Sequence, residues 1–132
     1  MTVLFTLDAE RNVIPCDDPI AWAEWAAVWS NRHVATTFLD GAGKVLLRVG
    51  PGERVEPPAS FCAEVSTVFV GVRSHPTQEP PHLFETTVFF EDTSRPHASH
   101  ATWSDAMKGH LLVLASIELA ALELAEERGG RP

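Results

Sequence analysis

Six histidines, two cysteines and eighteen carboxylates are the chain's material for chemistry. Two of them matter most by placement. Glu85 alternates with apolar residues in Leu83 to Glu91 (LFETTVFFE), a strand pattern. A carboxylate buried there needs a partner. His110 falls on the apolar stripe of a predicted C-terminal helix and is the expected partner. The pair would fix how the helix meets the sheet. Together with His75, these types would also suit a metal site or an acid–base pair.

Other chemistry finds less footing. His97 and His100 are three apart, which on a strand sends them to opposite faces. Cys16 and Cys62 form no CxxC or finger spacing, so neither a structural zinc nor another metal is expected. Ser66 and Thr67 lack a GxSxG elbow. Gly41, Gly43, Gly50 and Gly52 fit turns better than a phosphate loop, and no cofactor is expected.

The elements that would position these groups read as one α+β domain spanning 1–132. The expectation is a small antiparallel sheet packed by an N-terminal Trp-bearing helix and a long C-terminal helix. Thr2 to Leu7 and Val13 to Pro15 are short strands around a polar turn. Asp18-Pro19 opens a helix expected to run to Trp29 or Ser30. Trp22, Trp25 and Trp29 then share one face, expected to pack this helix on the sheet; in the alternative, Trp22 and Trp29 are candidate partner-binding residues. Val34–Leu39 and Lys44–Val49 form a hairpin around Asp40-Gly41. Glu64–Val72 is central, being apolar on both faces, and pairs with Leu83–Glu91. Thr93-Ser94-Arg95-Pro96 reads as a turn, with a short edge strand from His97 onward.

Thr102 and Asp105 make a capping box for the last helix, which Gly129-Gly130 ends. Trp103, Met107, His110, Leu114, Ile117, Ala121 and Leu124 form its buried stripe. Leu111, Leu119 and Leu122 widen the apolar surface beyond what one sheet face needs. These three are therefore candidate partner-binding residues, and a homodimer through this helix is expected.

Ten Lys and Arg stand against eighteen Asp and Glu, a net charge of −8. That disfavours a nucleic-acid backbone as partner and allows a basic protein partner, or simply solubility. The longest apolar run, Leu111 to Ala115, is too short to cross a bilayer, so no membrane association is expected. Nothing near Met1 has the form of a secretory signal, and the expectation is a cytoplasmic protein with reduced thiols.

VSTVFVGVRSH (65–75), a Pro-Pro loop, LFETTVFF (83–90) and TWSDAMKGH (102–110) resemble a family of small proteins of phages, prophages and actinobacteria. Its pattern reads approximately VSTVFLGLDH, PPLLFETMVFGG and TWEEAxxGH. LDAERNVIPCDDPIAWAEW (7–25) and RHVA (32–35) resemble its opening segments. The likeness places His75, Glu85 and His110 each within a motif. Ser74 stands where the family tends to carry Asp, and Phe90-Glu91 replaces Gly-Gly. The resemblance brings no established activity. Taken with the absence of a catalytic signature and the surplus apolar surface of the last helix, it leads to the expectation of a non-enzymatic, phage-like accessory protein that binds another protein, of host or phage, and in one version inhibits a host protein. The alternative is a small metal-dependent or acid–base hydrolase built on His75, Glu85 and His110.

Overall fold

A computed structural model describes residues 3–73, 77–90 and 93–129, without the side chains of 128 and 129. The fold is α+β, as expected. Strands β1 (Leu4–Leu7) and β2 (Val13–Cys16) form an antiparallel ribbon. Five further strands form an antiparallel sheet ordered β4-β3-β5-β6-β7: β3 (His33–Leu39), β4 (Val45–Val49), β5 (Ala63–Phe69), β6 (Phe84–Phe90) and β7 (Thr93–His100). β5 is the central strand, and Ala63, Val65, Thr67 and Phe69 on its helix-facing side are all buried.

Helix α1 (Pro19–Ala26) starts where Asp18 accepts from the N–H groups of Ile20 and Ala21. It stops before Trp29, earlier than its pattern predicts. Val28 is extended, and the Asn31 side chain donates to the Trp25 carbonyl at 2.9 Å, closing the helix end. Trp29 begins a separate turn, α2 (Trp29–Arg32), so the three indoles do not form one stripe. Trp25 packs edge-on against Phe69, Trp22 Nε1 donates to the Phe5 carbonyl at 2.8 Å, and Trp29 stacks on His33.

The ribbon is tied to the end of β5 at Gly71. Phe5 N–H donates to the Gly71 carbonyl, and a Cβ at Gly71 would lie 2.7 Å from the Phe5 carbonyl oxygen. With φ at +73°, this position suits only glycine.

β7 corrects the turn expected at 93–96. Thr93 is already paired with Phe90, and Pro96 is accommodated on an edge strand beside a register shift that leaves His97 as the extra residue.

Helix α3 (Trp103–Gly129) lies across one sheet face. Thr102 Oγ1 accepts from the Asp105 N–H at 3.1 Å, the first half of the expected box. Ala106, Gly109, His110, Val113 and Leu114 are its buried residues. Met107 and Leu124, expected in that row, are exposed. The contact is centred one residue earlier than predicted at Met107, and by Leu124 the helix has left the sheet. At ~1.5 Å per residue, the 27 residues of α3 span ~40 Å, against ~25 Å for the longest strands.

Two apolar clusters lie beneath α3. One gathers Phe5, Val34, Phe69, Leu83, Phe84 and Ala106; the other Leu39, Ala63, Val65, Val113 and Leu114. Between them, in the middle of the sheet, sits a polar node. No described helix is long and apolar enough to cross a membrane. Cys16 and Cys62 are unpaired thiols.

Candidate functional site

The polar node is built by alternation. On β5 and β6 the odd residue Thr67 and the even residue Thr86 face each other across the pair and point toward α3. Thr37 does the same from β3, where Thr37 pairs with Val65. His110 enters from the helix. Its Nε2 lies 2.9 Å from Thr37 Oγ1 and its Nδ1 lies 2.8 Å from Thr67 Oγ1. Thr67 Oγ1 and Thr86 Oγ1 are 2.7 Å apart. One ring nitrogen donates and the other accepts, which suits a neutral imidazole. The VSTVF, FETT and GH segments thus meet at one point.

Burial, then the charges of His33 and Arg48, hold His110 down at about 4. His110 is also almost fully buried. Both ring nitrogens are engaged by threonine hydroxyls, and the ring borders a small cleft of about 200 Å³ lined by Thr37, Arg48, Met107 and Leu111. The ring pairs with two buried hydroxyls, Thr37 directly on one side and Thr67, itself bonded to Thr86, on the other, and so ties the helix to the sheet.

Gly109 has its own reason. A Cβ there would overlap the His100 ring, which packs under the helix from β7. His100 Nε2 is buried with no hydrogen-bond partner.

The expected Glu85–His110 pair does not form. Glu85 points to the opposite sheet face, because Thr86 is the residue whose parity faces the helix. Glu85 is half-buried and accepts from Thr87 Oγ1 at 3.3 Å. His75 lies outside the described residues. His97 is exposed while His100 is half-buried against the helix. Among the described residues no three His, Cys, Asp or Glu side chains are grouped to hold a metal.

On the Glu85 face, an open cleft of about 590 Å³ is lined by Val70, Gln78, His82, Glu85, His97 and Ser99 among others. Here His82 Nδ1 lies 3.0 Å from Ser99 Oγ. Sequence reasoning missed this contact; the signal was the edge-strand pairing that sets Ser99 opposite Glu85. A second histidine, His33, is also buried. Its Nδ1 accepts from the Gly52 N–H at 2.9 Å, so Nε2 carries the proton and faces Thr36 Oγ1 at 2.7 Å. Burial pushes its pKa down.

The candidates on α3 stand differently. Leu111, Leu119 and Leu122 are exposed, and so is Leu112, which sequence reasoning passed over. Trp22 and Trp29, by contrast, are half-buried and engaged within the chain. Where α3 leaves the sheet, an apolar groove of about 520 Å³ runs between Leu39, Val88, Phe90, Ile117 and Leu124.

No family model, no curated protein and no solved structure matches this chain.

Proposed function

We propose that this chain is a non-enzymatic protein-binding module of the cytoplasm, akin to phage and prophage accessory proteins, and that the outward face of α3 is its docking surface. The observation that carries this reading is the row of leucines on that face: Leu112 is 69% exposed, Leu119 58% and Leu122 55%. Leucines clustered along one exposed helix face mark an interaction site, whereas scattered ones need no explanation. The excess of acidic residues suits a partner with a cationic surface, such as a host protein whose basic site would be blocked.

The test is affinity capture with two baits, the wild-type chain and a Leu112→Glu/Leu119→Glu/Leu122→Glu variant whose fold is verified by circular dichroism. A partner, or a second copy of the chain, held by the first bait and released by the second is the expected result. Equal behaviour of both baits, together with turnover of a substrate by the purified protein, would sink the reading.

A further inference from the structure

The docking face on α3 has a spacing of its own. The row meeting the sheet runs Ala106, His110, Val113, Ile117, separated by four, three and four residues. The outward row repeats this pattern two residues later: Lys108, Leu112, Ala115, Leu119, Leu122, Glu126. A shift of two residues turns about 200° around an α-helix, so the two rows lie on opposite sides. Alternating steps of four and three over this length make a heptad seam, the pattern that pairs one helix with another at a shallow angle. All six residues of the outward row are exposed.

We propose that the occupant of this face is a second copy of the chain, with its α3 running antiparallel. The proposal rests on the reading of this face as a docking surface, and it adds the partner and the register. In an antiparallel pair centred on the seam, Leu112 faces the second copy's Leu122, and Ala115 faces the second copy's Leu119, small against large. Lys108 faces the second copy's Glu126, and the same contact recurs at the other end. Each copy thus supplies the charge that the other lacks, and the self-complementarity is what a two-fold interface requires. A parallel pair would set Lys108 against Lys108, Glu126 against Glu126 and Glu118 beside Glu123. Antiparallel pairing leaves one unfavourable neighbour, Glu118 beside its own copy near the axis, at the exposed rim where solvent and salt screen it. The two sheets sit on the outside of the resulting sheet–helix–helix–sheet stack, kept apart by two helix diameters.

Sedimentation of the full chain over a concentration series reads the association, and charge swaps read the direction. Leu119→Glu is expected to give a monomer with unchanged helix content. Lys108→Glu and Glu126→Lys should each weaken the dimer about tenfold, two opposite-charge contacts becoming two like-charge ones. The double swap should restore it to within about threefold, because the pairs are re-formed with their signs exchanged. A chain that stays monomeric at the highest soluble concentration would overturn the self-pairing, while the capture experiment still judges the docking face. A dimer that ignores Leu119→Glu, or one in which the double swap gives no rescue, would overturn the seam or its direction.

Discussion

The two sides of α3 invert the usual expectation. The side pressed into the sheet carries, at its centre, a histidine bonded to threonines; the side facing solvent carries leucines. The buried side is satisfied at its centre, where both His110 nitrogens and three threonine hydroxyls form one network, and falls short beside it, at His100 Nε2. The outward side is incomplete, since its apolar surface has no cover among the described residues. Hydropathy therefore does not decide which side is finished. Satisfaction of polar groups marks the side that holds the fold, and unsatisfied apolar area marks the side available to a partner.

The contrast can be broken first at the node. His110→Ala removes the ring and leaves Thr37 and Thr67 without it, and is expected to destabilise the fold by about 3 kcal/mol or more. Urea unfolding at neutral pH reads this.

Acid attacks the same point. The folded His110 is held near 4, below its ordinary value of 6.5, so between those values the unfolded chain takes up the proton and the folded chain does not. Its contribution is fully present above about pH 6.5 and is lost as pH falls toward 4, by ~3 kcal/mol. His33, also pushed down by burial, acts in the same direction. Glu64, whose carboxyl is pushed up by burial, opposes them. Unfolding curves at several pH values should show a loss that shrinks in His110→Ala; an equal loss in both proteins would exclude His110 as the source.

A smaller effect is expected next door. Gly109→Ala drives a methyl into the His100 ring and should cost about 1–3 kcal/mol as strand or helix shifts. A thermal melt that does not move would mean that the ring swings away at no cost. On the outward side, Leu122→Ala on dilute protein should change unfolding by no more than about 0.5 kcal/mol. A larger loss would mean that this face contributes to the fold of a single copy.

The strands were the most legible part of the sequence. β5 and β6 announce themselves through β-branched and aromatic residues, and their alternation assigns Phe84, Thr86 and Val88 to one face correctly. The same alternation already argued against the Glu85–His110 pair, because it puts Thr86 rather than Glu85 on the face with Phe84. What chose the wrong residue was the attraction of opposite charge types over parity. The first helix was overextended because the residue that ends it, Asn31, acts from beyond the helix through its side chain. β7 looked like a turn because Pro96 and its polar neighbours are turn formers, which an edge strand tolerates. For the candidate site, the exposed leucines were foreseen as a surplus. Leu112 was readable only by counting fours and threes.

The His110–Thr37 contact joins residues 73 apart in the chain. The strand pairs β3–β4, β5–β6 and β6–β7, by contrast, join strands that are neighbours in sequence. Long loops close late, so the sheet can assemble before the helix docks. The node then belongs to the native state more than to the folding nucleus. Its loss should raise the unfolding rate and leave refolding nearly unchanged, which the two arms of a chevron plot separate. His110 is thus a latch on the exit: it governs how long the folded protein lasts more than how fast it forms.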